Sequence, residues 1–150
     1  MEVPGLSPCL WFDGRAQEAA EFYVSVFPES ELLRVEKIPA GPAEGSALVE
    51  FEIMRLRFSA IDGGPMFQFT PAVSFAIPCA SQEEIDLYWE RLSDGGTQMP
   101  CGWLADRFGL SWQVVPAALD EIMQRDPPTV MEALLTMQKI DIASLRRAAG

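Results

Sequence analysis

Apolar and polar positions along this chain recur with two periods, and the switches between them lay out its elements. Cys9-Leu10-Trp11-Phe12 is a short apolar run closed by Asp13-Gly14, the pattern of a strand ending in a turn. Ala16, Ala19, Ala20, Tyr23 and Phe27 follow at helical spacing, with Gln17, Glu18 and Glu21 on the other side, and Pro28 ends that helix. Leu32 to Ile38 is bounded by polar residues and by Pro39-Ala40-Gly41-Pro42, which predicts a strand and then a loop reaching Gly45. Ala47 to Ile53 alternates, with Ala47, Val49, Phe51 and Ile53 on one face and Glu50 and Glu52 on the other. Leu56 to Ile61 is a further strand, stopped by Asp62-Gly63-Gly64-Pro65.

The order strand, helix, strand, strand, strand then recurs. Val73 to Ile77 predicts a strand. Ser81 with Glu84 forms a capping box, and Ile85, Tyr88, Trp89 and Leu92 make a helical stripe that Asp94-Gly95-Gly96 ends. Thr97 to Pro100, Trp103 to Arg107 and Leu110 to Val115 complete the second set, the last two as a hairpin turning near Gly109. The shift that lays Phe12 on Pro78 also lays Phe22-Tyr23 on Tyr88-Trp89, which predicts equal strand-to-helix spacing in the two halves. The pattern is that of an α+β chain with two βαβββ modules, residues 7–62 and 72–116 of one domain, and a helical tail over 117–150. In the tail, Thr129 with Glu132 predicts a capped helix carrying Val130, Leu134 and Met137, with Asp126-Pro127-Pro128 as a break before it. Asp141 predicts the cap of a final helix carrying Ile142 and Leu145.

Composition narrows the function classes. The chain has 150 residues, 49% of them hydrophobic, a normal globular fraction. Its net charge of −11 repels phosphate backbones, so nucleic acid and anionic membrane are not expected partners. Met1 to Gly5 has neither a basic nor an apolar leader segment, no later run reaches membrane-spanning length, and a cytoplasmic location is expected. Cys9, Cys79 and Cys101 are odd in number and widely spaced, which suits neither a disulfide framework nor a zinc-ligand pair. The chain has no histidine, which removes the commonest general base and transition-metal ligand and excludes Ser-His-Asp and Cys-His chemistry.

The candidate site residues are therefore polar groups on otherwise apolar strands. Gln113 and Ser74 read either as a ligand handle or as a hydrogen bond between strands, since a buried polar group must find a partner either way. Trp103 and Cys101 read as the rim of a pocket or as core packing. Glu50 and Glu52, two apart on one strand face, read as a carboxylate pair for acid–base or hard-metal work or as a solvated face. Cys79 has no histidine and no neighbouring Lys or Arg to lower its pKa, so it is not read as a nucleophile.

Several segments resemble one known family. They are Leu10-Trp11-Phe12-Asp13-Gly14, Ala19-Ala20-Glu21-Phe22-Tyr23, Gly63-Gly64-Pro65, Ser74-Phe75 and Tyr88-Trp89. The longest is Cys101-Gly102-Trp103-Leu104, running on through Phe108-Gly109 to Leu110-Ser111-Trp112-Gln113-Val114-Val115-Pro116. With the tandem plan, they are similar to the PhnB-like group, often labelled 3-demethylubiquinone-9 3-methyltransferase, within the vicinal oxygen chelate superfamily of glyoxalase, bleomycin-resistance and extradiol-dioxygenase relatives. That resemblance implies a cupped mixed sheet with helices outside and a ligand or metal in the cup. The metal-ligand positions of such relatives fall near Pro8 or Leu10, near Ser59, at Ser74 and at Gln113, and only Gln113 is a suitable ligand type. Many members of the group have a histidine after Gly-Gly-Pro; this chain has Met66.

The expected function is metal-free binding of a small apolar or aromatic molecule. The alternatives are a divalent-metal enzyme of the superfamily and the methyltransferase of the label. Against the last, an adenosine-bearing methyl donor normally needs a doubly wound sheet with a Gly-rich first turn, and no helix is predicted after Gly63-Gly64-Pro65. A homodimer is expected, because cups of this type often pair or swap halves and the tail is apolar.

Overall fold

The structure, a computed structural model, describes residues 5–150. The reading of a missing leader segment falls on Met1 to Pro4, outside the described residues. The chain divides after Gln68 into two compact units.

In the first unit, strands β1 (Cys9–Phe12), β2 (Glu31–Lys37), β3 (Ala47–Ile53) and β4 (Leu56–Asp62) form a sheet of order β1-β4-β3-β2, and α1 (Ala16–Val26) joins β1 to β2. β1 runs parallel to β4, and the other neighbours are antiparallel. Helix α1 buries Ala16, Ala19, Ala20 and Tyr23 of the predicted stripe together with Val26, while Phe27, also buried, is the C-cap and lies outside the helix. Its alanines allow a close approach to the sheet, where Tyr23 stacks on Phe51 and Phe51 on Phe58. The side chain of Asp62, at the end of β4, accepts a 2.8 Å hydrogen bond from the Ala16 amide and so satisfies one free donor at the start of α1.

The second unit repeats the plan. Strands β5 (Ser74–Cys79), β6 (Thr97–Gln98), β7 (Trp103–Ala105) and β8 (Ser111–Pro116) have the order β5-β8-β7-β6, and α2 (Gln82–Ser93) follows β5. Ser81 caps α2 by accepting from the Glu84 amide, and Glu84 in turn accepts from the Ala80 amide. Ile85, Tyr88, Trp89 and Leu92 are buried, as are Ile77, Leu104, Trp112 and Val114 on the sheet. Burying each large apolar side chain contributes roughly 1.5–3 kcal/mol.

The two strand–helix spacings are not equal. Leu10 and Phe12 are the residues of β1 buried under α1, and Ile77 and Cys79 are their counterparts in β5. Phe12 pairs with Asp62 at the last rung of β1 and β4, and Cys79 pairs with Pro116 at the last rung of β5 and β8. Phe12 therefore matches Cys79 rather than Pro78, and the linker to the helix is one residue shorter in the second unit. A strand shifted by one residue turns its apolar side chains to the wrong face, so burial decides the match.

The tail contains α3 (Leu119–Arg125), α4 (Pro127–Leu135) and α5 (Ile142–Ala149), of which α3 was not predicted separately. Asp126-Pro127-Pro128 starts a helix instead of breaking the chain. Asp126, not Thr129, is the cap, accepting from the Thr129 amide, and the prolines occupy first-turn positions where no amide hydrogen is needed. Ile122, Val130, Leu134, Ile140 and Leu145 form the tail's core. The tail is pinned to its own unit by Gln82, whose side chain donates to the Ile140 carbonyl and accepts from the Ile142 amide.

Candidate functional site

The pairing registers decide which candidate side chains share a face. On the second sheet, Ser74 lies opposite Ser111, and Ser111 lies opposite Ala105. One pleat further on, Ala76, Gln113 and Trp103 form the next row. These residues point away from the face that carries Ile77, Trp112, Val114 and Leu104. Ser74, Gln113 and Trp103 are half-buried and Ala76 is exposed, so small side chains form a floor beside one large indole. Gln113 Nε2 donates to Ser74 Oγ at 2.9 Å. Among the described residues the Trp103 indole has neither a ring partner nor a hydrogen bond.

Cys101 does not join this group. It sits in the Pro100–Gly102 turn with a left-handed φ of 63°, and its thiol donates to the Leu134 carbonyl at 3.7 Å. Its amide and that of Gly102 donate to the carbonyls of Met137 and Gln138. Cys101 thus faces the tail core. Gly102 is required there: at φ 82° a Cβ would lie 2.6 Å from the Val114 carbonyl oxygen and 2.8 Å from Ile140.

On the first sheet the row equivalent to Ala76, Gln113 and Trp103 is Cys9, Ser59 and Glu50. Glu50 is already committed. Its two carboxylate oxygens accept from Arg34 at 3.0 Å and Arg57 at 3.3 Å, while Glu52 lies opposite Arg57 and Glu31. Glu50 is thus a member of an ion-pair network with Arg34, Arg57 and Glu36, Glu52 shares its strand face by register, and Cys9 is exposed in the same row. Nearby, the Trp11 indole donates to the Gly64 carbonyl and meets Phe67 edge-on, and a side chain at Gly63 would run into that indole.

Two buried groups went unnoticed in the sequence. Asp106, in the β7–β8 turn, accepts from the Phe108 and Leu110 amides and from the Trp112 indole at 2.9 Å. An aspartate three residues before a glycine, between two aromatic strands, is the available signal for such a turn. Ser111 is fully buried, and its hydroxyl has no hydrogen-bond partner. The buried Cys79 thiol donates to the Ile77 carbonyl, and burial, with Glu84 adding to it, pushes its pKa up to about 12.

Two mixed four-stranded sheets built from successive βαβββ units, each with its helix on one face, define a protein of the vicinal oxygen chelate fold. The chain belongs to the family described as 3-demethylubiquinone-9 3-methyltransferase, the PhnB-like group, whose model matches residues 4–115. It is similar to a PhnB protein of Bacillus cereus bearing the same description, at 34% identity, a TM-score of 0.66, and coverage of 73% of this chain and 97% of that one. A Pseudomonas aeruginosa protein of known structure is 20% identical with a TM-score of 0.60, covering 73% of this chain and 95% of its own. The fosfomycin resistance protein FosX of Listeria monocytogenes, solved with Mn(II) and a sulfate ion, is 19% identical with a TM-score of 0.52, covering 75% and 90%. These last two share the fold. Among curated proteins none matches the chain in sequence.

The ligand positions implied by the fold can now be placed. Leu10 faces α1 and is buried, so it cannot serve. By register Ser59 is the counterpart of Gln113, and Ser7, exposed before β1, is the counterpart of Ser74. In the first unit Ser7 and Ser59 offer only hydroxyls and in the second Ser74 and Gln113 a hydroxyl and an amide, donor types that do not suit a transition metal. Among the described residues no three of Cys, Asp or Glu gather as a metal-holding group. The residues do not fit an adenosine-bearing donor either. Neither sheet is doubly wound, and Gly63-Gly64-Pro65 leads into a loop. No helix of the described residues is long and apolar enough to cross a membrane.

Proposed function

We propose that the protein binds a small apolar or aromatic molecule on the face of β5, β8 and β7 turned away from α2, without a transition metal. The observation that carries this is the unpartnered Trp103 indole standing beside a floor of Ala76 and Ala105 and a polar pair, Ser74 and Gln113. An indole offers a large flat surface at little entropic cost, and the hydroxyl–amide pair can re-form its bonds to a ligand's polar head. Among the described residues, the rows Ser74–Ser111–Ala105 and Ala76–Gln113–Trp103 carry no charge, which favours a neutral ligand.

The test is a titration of 2-naphthol, a flat aromatic with one hydroxyl head, into chelator-treated protein, followed by calorimetry. Binding that weakens about tenfold in Gln113→Ala and in Trp103→Ala supports the proposal, tenfold being the worth of one modest contact. Saturable binding that neither variant changes would place the ligand elsewhere. We further propose a homodimer. The exposed side chains of Leu6, Met66, Phe67 and Val73 are candidates for burial by a second copy. Light scattering would read two chains per particle, and a monomer at tens of micromolar would reject it.

A further inference from the structure

We infer that the Ser111 hydroxyl is a ligand-binding group of this face, covered by Gln113 until a ligand's polar head takes its place. This rests on the binding function proposed above. Ser111 lies on the central strand of the row Ser74, Ser111, Ala105, is fully buried, and has no partner for its hydroxyl. A buried polar atom left unpaired is a standing cost that folded proteins rarely carry without a use.

The pairing and one hydrogen bond bring Gln113 to its rung. Gln113 stands two residues further along β8, yet its amide reaches back to Ser74, the residue directly opposite Ser111. The Gln113 side chain therefore runs along its own strand and brings its amide to the Ser74–Ser111 rung. Gln113 is held there by one neutral hydrogen bond to Ser74, from which its half-buried side chain can swing away. A phenol-like head entering beside Trp103 would then meet three groups, Ser74, Ser111 and Gln113, where the closed face offers two. Ala105, directly opposite Ser111 on β7, presents only a methyl group on that side.

The experiment compares wild type with Ser111→Ala, using 2-naphthol and naphthalene as probes. Two results are expected together. The unliganded variant melts higher than wild type, because an orphaned hydroxyl is gone. It binds 2-naphthol about tenfold more weakly, while its affinity for naphthalene is unchanged, since only a head group can reach the hydroxyl. Ser111→Thr, which keeps the hydroxyl, retains 2-naphthol binding. If 2-naphthol binds the wild type and Ser111→Ala equally but is weakened in Gln113→Ala, the role of Ser111 is overturned and the binding face stands. If the wild type binds neither probe, the binding function itself is overturned, and the Ser111 role with it.

Discussion

Single buried side chains carry much of the second unit's order, and Asp106 carries the most. Its carboxylate receives two amides and the Trp112 indole, so removing it orphans three donors in one place. Asp106→Ala should destabilise the protein by at least about 3 kcal/mol in a urea melt, and a loss below about 1 kcal/mol would contradict this role. Cys79 makes the opposite point, since burial keeps its thiol protonated. With a thiol reagent at pH 8, exposed Cys9 should label quickly and Cys79 only after unfolding, as read by peptide mapping. The sign of the accompanying pH effect follows from the raised pKa. The folded state keeps its proton while the unfolded thiol loses it above its ordinary value of 9.0, so this contribution is full below that value and is lost as the pH climbs toward 12.

At the scale of elements, turns and caps decide what the periodic pattern leaves open. The β3–β4 hairpin turns on Met54 and Arg55, both left-handed, at φ 49° and 69°. Two-residue turns of this hand favour Asn-Gly, so Arg55→Gly should stabilise by about 1 kcal/mol, the exposed Arg55–Glu29 ion pair being worth little. A lower melting point would show that the ion pair outweighs the strain. Asp141 caps α5 by accepting from the Ser144 amide, and that bond, first among its causes, lowers its carboxyl pKa. A lowered pKa stabilises above the ordinary carboxylate value and is lost as the pH falls through the folded one. Protection factors of the α5 amides, corrected for the intrinsic exchange rate, should therefore fall as the pH drops below the ordinary carboxylate range in wild type, and Asp141→Ala should show the low protection already at neutral pH. Strands such as β3 and the stripes of α1 and α2 were legible because one face of each is buried, which writes a period into the sequence. The cap of α4 was not, because Thr129 and Glu132 satisfy the same local pattern that Asp126 fulfils in the fold. The side of the chain that Cys101 faces was equally hidden, since its partners Leu134, Met137 and Gln138 are distant in sequence.

For the whole molecule, the fold and its family were legible, whereas the relation between neighbouring strands was not. Only the registers place Ser74, Ser111, Gln113 and Trp103 in two adjacent rows, set Cys101 apart, and reveal Glu50 between two arginines. The positions that the family resemblance assigns to metal ligands hold serines and a glutamine in this chain, and a shared architecture need not bring shared chemistry. That contrast is the central claim, and a thermal-shift comparison on untagged, chelator-treated protein tests it most directly. A ligand of the folded state raises the melting point by mass action. The account predicts a concentration-dependent rise with 2-naphthol and none with Mg, Mn, Fe, Ni or Zn ions. A saturable rise with one of those metals, together with stoichiometric metal in protein purified without chelator, would contradict it.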